Sequence, residues 1–248
     1  MADIPNRDEL ERALAKKLAG LNRRQMGELL ELWGDPPNMA NVPQEFWDKA
    51  GEELAAVVVP FSEGVYLEAA QRMLESVPIG ISWDLVNEGA ASWARDYGGR
   101  LVKDISTTTR RRVGNAVGDF YSQGQTMGDL TGRLGTIYSP QRAEMIAVTE
   151  VTRAAAEGER AFADEVAKEG IILVEIWQTS NDDLVCDICR PRNGIEEYKG
   201  SGDAYWDRSS GPPAHPRCRC GVRHEFEKPK EGAVEVGPVL EESNAGSL

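Results

Sequence analysis

Residues 139–179 read SPQRAEMIAVTEVTRAAAEGERAFADEVAKEG followed by IILVEIWQT, and the change of character at Gly170 decides the fold class. Ser139 is suited to cap a helix and Pro140 to open it, because an N–H at the first helical position has no intrahelical partner to lose. Alanines, Met145, Ile146, Val148 and Val151 follow, with Phe162 and Val166 further on. Gly170 then stands where a left-handed residue commonly ends a helix. These signals predict a long helix over 140–169. From Ile171 the residues turn β-branched and aromatic with partial alternation, which predicts a strand. The expectation is an α+β chain: a mostly helical N-terminal body followed by a small Cys/His-clipped, β-containing module.

Upstream, Leu10, Leu14, Leu18, Leu21, Leu29, Leu30 and Trp33 recur at three- and four-residue steps, predicting a helix over 8–33 that Gly20 weakens. Gly34-Asp-Pro-Pro ends it, since proline lacks an N–H and restricts its predecessor. The segment 43–59 starts as a helix, while Val57-Val58-Val59 reads equally as a short strand; Pro60 is expected to break either one. Ser62 is a candidate N-cap for a helix over 62–76, and Ser82 for another that runs towards Lys103 with a break at Gly98-Gly99. A further helix spans 104–123, and Thr126 offers a cap for a short one holding Leu130 and Leu134. Downstream, Ser180-Asn-Asp-Asp and Asn193-Gly194 are turn signals, the latter consistent with a hairpin. Residues 221–227 carry a last strand. Pro, Gly, Glu, Ser and Asn prevail over 228–248, which predicts an acidic flexible tail or a partner-dependent extension.

The 248 residues include 28 Lys+Arg and 41 Asp+Glu, a formal net charge of -13 that argues against a general nucleic-acid coat. Arg110, Arg111 and Arg112 form the clearest basic patch, but adjacent residues spread around a helix rather than to one side. The start has no basic segment followed by an apolar one, and the apolar run Leu54 to Phe61 is too short to span a bilayer. No membrane partner is expected, and synthesis in a reducing cytoplasm is the default. Six tryptophans need burial in a core or at a partner.

All four cysteines fall in one region. Cys186-Asp-Ile-Cys189 supplies a knuckle, and His215-Pro-Arg-Cys218-Arg-Cys220 supplies a second group. Structural zinc sites commonly combine one Cys-x-x-Cys pair with two further ligands from a loop. Here His215, Cys218 and Cys220 compete for two places, so at most four of the five residues ligate. Cys218 with Cys220 requires a bent backbone, whereas Cys220 with His215 would leave Cys218 buried. The competing account is a reduced or disulfide-linked pair with His215 hydrogen-bonded in the core. Thiolate-rich ligands favour zinc over magnesium or calcium. No HExxH, Walker loop or nucleophile elbow is present, and Ala214-His215-Pro216-Arg217 lacks the glutamate of a zinc deaminase.

On the long helix, Glu150 and Arg153 are three apart and can pair. Together with Arg142 they form either a solvated face or a partly buried network joining the helix to the C-terminal module. Trp177, Thr179, Asp182 and Asp183 are expected to make the corner that holds the cysteine loop, with Trp177 in the core.

Two separated signatures carry a resemblance. The first is Arg142-Ala-Glu-Met-Ile-Ala-Val-Thr-Glu150-Val-Thr-Arg-Ala. The second is Trp177-Gln-Thr-Ser-Asn-Asp-Asp-Leu-Val-Cys186-Asp-Ile-Cys189, then Asn193-Gly194, then Gly211-Pro-Pro-Ala-His215-Pro-Arg-Cys218-Arg-Cys220. Over about residues 100–222 the chain resembles the Mu F-like head-morphogenesis family of tailed-phage minor capsid proteins. Val148 departs from the pattern, standing where the family often has arginine. The resemblance implies a lead-in over 1–100, a head-morphogenesis domain over 101–227 and the tail beyond. It also favours the partly buried docking network for Arg142, Glu150 and Arg153, with Trp177 and Asp182 of the corner completing the structural network. The implied protein is a non-enzymatic component of the virion, at the capsid interior or portal vertex. Its partners would be the portal protein, with scaffold and major capsid protein besides. The chain runs 28 residues beyond Cys220, too few for a further domain with its own core. The alternatives are a zinc-containing nucleic-acid enzyme or effector, and a DNA-binding head module using Arg110 to Arg112, Arg217 and Arg219 on packaged DNA.

Overall fold

The computed structural model describes residues 4–76, 83–180, 183, 185–197, 206 and 211–226. Five helices form the body: α1 (Arg7–Trp33), α2 (Gln44–Ser76), α3 (Trp83–Gln123), α4 (Met127–Ile137) and α5 (Pro140–Lys168). Two strands follow, β1 (Leu173–Gln178) and β2 (Gly221–Phe226), paired antiparallel with Leu173 opposite Phe226 and Gln178 opposite Gly221. The α+β expectation holds. Asp182 and residues 227–248 lie outside the described residues, and so do the Ser82 cap and the expected tail.

Helix α5 is the spine, with α1 and α2 packed along it and α3 laid against α2. Its start is as expected: the Ser139 hydroxyl accepts the Arg142 N–H at 3.1 Å, and Pro140 occupies the first turn. Gly170 ends it with φ 82°. Thr126 caps α4 through a reciprocal box, its hydroxyl accepting the Asp129 N–H while the Asp129 carboxylate accepts the Thr126 N–H. Three buried clusters run along the body. Leu29, Trp33, Phe46, Trp47, Val113, Leu130 and Leu134 fill one end. Leu14, Leu18, Leu21, Leu54, Val58, Ala143 and Ala147 form the middle, and Val65, Ala69, Val151, Ala154 and Ala155 the other end.

Two expected breaks are absent. Pro60 lies inside α2, which continues from Gln44 to Ser76 as one helix. An interior proline costs about 3 kcal/mol. Here one apolar stripe spans it: Leu54 and Val58 before the proline, then Val65 and Ala69 after it, face successive stretches of α5. Kinking the helix would uncover both. Ser62, expected as a cap, is a buried residue within α2. Val57 to Val59 are helical, not a strand.

Gly98-Gly99 does not interrupt α3 either. A Cβ at Gly98 would lie 2.4 Å from Val59 Cγ2 on α2, so this glycine serves close helix packing. Gly158 does the same for α5 against α2, where a Cβ would meet the Tyr66 carbonyl oxygen at 2.2 Å. No described helix is long and apolar enough to cross a membrane.

Candidate metal centre

Strand β1 is the floor of the module. Glu175, Ile176 and Trp177 are all buried, so both faces of the strand are covered. On one side it pairs with β2. On the other, the Trp177 N–H donates to the Ile195 carbonyl at 2.9 Å and the Gly194 N–H to the Trp177 carbonyl at 2.8 Å. Gly194, with φ 81°, makes the turn that brings this segment alongside. The Thr179 N–H donates to the Asn193 side-chain oxygen at 3.0 Å. Trp177 packs edge-on against Trp206 with ring centroids 5.5 Å apart, and both are fully buried. The Trp206 indole N–H donates to the Ile195 carbonyl at 2.8 Å.

Above that floor, all five metal-ligand candidates converge. The Cys186 carbonyl accepts the N–H groups of Cys189 and Arg190, a tight turn that folds the two thiols towards one point. His215 Nε2 lies 3.0 Å from Cys186 Sγ and 3.3 Å from Cys189 Sγ, and Cys189 Sγ lies 3.8 Å from Cys218 Sγ. Cys186, Cys189 and His215 form one mutually close trio, and Cys189, Cys218 and Cys220 a second, with Cys189 shared. All four cysteines are free thiols.

Within the two trios the closest spacings run from 3.0 to 3.8 Å, near the edges of a tetrahedral zinc site, while no four of the five atoms are all mutually close. With Zn–S bonds of about 2.3 Å and Zn–N of about 2.0 Å, the S···S edge is about 3.8 Å and the S···N edge about 3.5 Å. His215 Nδ1 lies 2.8 Å from the Pro216 carbonyl, which can only accept, so on metal binding the neutral ring would keep its proton there and turn the Nε2 lone pair to the thiols. The buried indole N–H of Trp177 makes no hydrogen bond of normal geometry. Like the Cys189 thiol, it lowers the pKa of Cys220, but the hydrogen bond to Cys218 and burial outweigh both and push Cys220 up to about 12. A cavity of about 330 Å³ flanks the cluster, lined by Glu11, Glu144, Arg217 and Arg219 besides the thiols and His215.

Burial opposes ionisation of Cys186, but the N–H groups of Cys189 and Ile188, the Cys189 thiol and the charge of His215 outweigh it and lower its pKa. Hydrogen bonds from the Cys189 and Cys220 thiols pull Cys218 far down. Donating to Cys218 keeps Cys189 protonated. Such a nest of thiols around one thiolate is what a soft cation would replace.

The loop carrying His215 is fixed from below. Arg217 adopts the left-handed conformation, φ 65°, and its N–H donates to Thr149 Oγ1 on α5 at 3.0 Å. Its guanidinium reaches the Gln141 carbonyl at 3.2 Å and Glu144 at 3.6 Å. Arg219 pairs with Asp8 and, at 3.2 Å, with Glu11 on α1. A buried ion pair, Arg160 Nε to Glu175 Oε2 at 3.3 Å, joins α5 to β1. Gly211 packs so closely over Arg160 that a Cβ would lie 1.9 Å from its guanidinium.

The residues expected to dock the helix on the module make other described contacts. Arg142 donates to Thr109 on α3 at 3.0 Å and to the Ile137 carbonyl at 3.1 Å. Glu150 accepts the Tyr97 hydroxyl at 2.8 Å, and the Arg153 guanidinium lies 5.3 Å from the Tyr97 ring centroid. Burial raises the pKa of Glu150 against the Tyr97 hydrogen bond and Arg153. This network binds α5 to α3, while Arg160 and Thr149 on α5 meet Glu175 and Arg217 of the module.

Glu175 was detectable, since β-alternation puts it on the face of Trp177. Arg160 had no such signal. Trp206, beside Tyr205 in a polar stretch, was detectable only as a side chain in need of a core. Of the arginines expected to touch DNA, Arg110 donates to Gln44 at 2.8 Å and lies over Trp47, and Arg217 and Arg219 face carboxylates, while Arg111 and Arg112 are exposed on α3.

No curated protein and no solved structure matches the chain. The family model described as Phage Mu protein F like protein matches residues 100–223, which hold both signatures and the whole Cys/His cluster. That span is half of the chain, and the chain belongs to the Phage Mu protein F like family.

Proposed function

We propose that the chain is a minor, non-enzymatic component of a tailed-phage head that binds the portal protein or inner capsid during procapsid assembly. The observation that carries this reading is the family match over residues 100–223, which suggests a phage head-morphogenesis protein. Capsid components are then its natural partners: the portal first, with scaffold and major capsid protein besides. The virion is its destination, and packaging or ejection of DNA the process it serves. In this reading residues 1–100 are the lead-in to the 101–227 domain.

The Cys/His cluster is assigned a structural zinc, held by four of Cys186, Cys189, His215, Cys218 and Cys220. Bound there, zinc supplies a rigid cross-link between the 186–189 knuckle and the 215–220 loop. The donors form two trios that share Cys189, so a zinc between them can draw all four ligands from protein, as structural sites do. A fully protein-ligated zinc favours a scaffold over an enzyme or effector. Co-expression with the cognate portal protein tests the reading: co-purification, and detection of the chain in procapsids or heads, is expected. Absence from procapsids and virions alike overturns it.

A further inference from the structure

We propose that Thr149 is the positioning residue of the metal loop: α5 sets the ligand geometry through one hydrogen bond from the Arg217 backbone to the Thr149 hydroxyl. This rests on the zinc reading of the cluster and goes beyond it, because Thr149 touches no metal ligand atom and would not ligate.

The hydroxyl donates and accepts at once. Thr149 Oγ1 donates to the Met145 carbonyl at 2.7 Å, one turn back along α5, which aims its lone pairs outward. It accepts the Arg217 N–H at 3.0 Å. Arg217 lies between two ligand candidates, two residues after His215 and one before Cys218. It holds a left-handed backbone that a non-glycine residue adopts only at a cost. That turn has a geometric consequence. Side chains three apart in an extended segment point to opposite faces, whereas a left-handed residue between His215 and Cys218 reverses the chain and lets both face Cys189. The Cys218 N–H closes the same turn onto the His215 carbonyl at 3.1 Å. The Thr149 hydroxyl is therefore the external fastening of the one strained residue on which convergence depends. The two sequence signatures, one containing Thr149-Glu150 and the other ending at Cys220, are two halves of one device.

The side chain of Arg217 has a smaller part. Its ion pair with Glu144 joins two groups that are more than half exposed, a class of contact worth little. The latch uses its N–H, which any residue but proline supplies.

The test uses the full chain, stripped of metal and titrated with Co²⁺, whose thiolate charge-transfer and d–d bands report sulfur count and tetrahedral geometry; zinc affinity follows by competition with a chelator. Thr149→Val keeps the volume and removes the acceptor, and metal affinity is expected to fall about tenfold or more, the usual consequence of losing an outer-shell partner. Helix content and melting of the body are expected to stay as they were. Thr149→Ser is expected to restore affinity to within about threefold, and Arg217→Gly, which keeps both the N–H and the left-handed turn, to retain it. If Thr149→Val binds as the parent does, or Arg217→Gly loses as much as Thr149→Val, the latch is refuted while the zinc reading stands. A parent chain showing no thiolate–cobalt bands refutes the zinc reading, and the latch with it.

Discussion

Arg160 and Glu175 offer the sharpest test of how the module is fastened to the helical body. Their side chains are 7% and 1% exposed and meet at 3.3 Å. Replacing Arg160 with Met keeps the aliphatic bulk but leaves the Glu175 carboxylate buried without its cation. Breaking one side of a buried pair costs about 3–5 kcal/mol, because the remaining charge keeps its desolvation penalty and loses its compensation. For a chain of this size that is a fall in Tm of about 6–20 °C. Exposed pairs on the same molecule, such as Lys49–Glu28, should cost about 0–1 kcal/mol when broken. The assay is a double-mutant cycle by denaturant unfolding: Arg160→Met, Glu175→Gln and the two combined. The double variant should lose less than the sum of the singles, by about 1 kcal/mol or more. Additive losses, or an Arg160→Met chain within about 1 kcal/mol of the parent, would show that this pair does not hold β1 to α5.

Further outcomes follow from the same packing. Burial raises the Glu159 pKa to about 7 against the attraction of Arg72 on α2, Arg7 on α1 and Arg160 on α5, and Glu175 on β1 raises it further. The folded state therefore binds the Glu159 proton more tightly than the unfolded chain. Its contribution to stability is complete below about pH 4.5 and is lost as pH rises through about 7, some 3 kcal/mol in all. Melting at pH 5 and pH 8 should show Glu159→Gln gaining on the parent at the higher pH; an equal difference at both would count against it. Gly158→Ala drives a Cβ into the Tyr66 carbonyl and should cost at least the 1–3 kcal/mol typical of overpacking, read as a drop in denaturant midpoint. Gly132→Ala on α4, with open space around it, should instead gain about 0.5–1 kcal/mol. A fall in midpoint at Gly132 would show that α4 packs more tightly than described.

What was readable in the sequence is what depends on local chemistry. Ser139, Pro140 and Gly170 bound α5 because caps and helix ends use specific residues whatever surrounds them. Thr126 and Asp129 marked α4 for the same reason. The Cys-x-x-Cys knuckle was readable because two thiols at that spacing can share a turn. Features that depend on a distant partner were not. A glycine looks the same whether it breaks a helix, as Gly98 was expected to, or admits a neighbour's side chain, as it does for Val59. Pro60 looked like a stop because its local cost is visible and the stripe it shares with α5 is not. Arg142, Glu150 and Arg153 shared a helix with the module's true contacts, and periodicity alone does not say which neighbour each face meets. The turn at Arg217 was likewise hidden, since nothing in His-Pro-Arg-Cys demands a left-handed arginine until Thr149 is seen beneath it.

Everything said of the module returns to one cation drawing the 186–189 and 215–220 segments together. Elemental analysis of the full chain, purified without added metal or chelator, measures this directly. The account predicts close to one zinc per chain, released together with reactive thiols when a strong chelator or a thiol-modifying mercurial is added. Metal-free protein whose four cysteines all react at once, with Trp177 and Trp206 still buried by fluorescence, would contradict it.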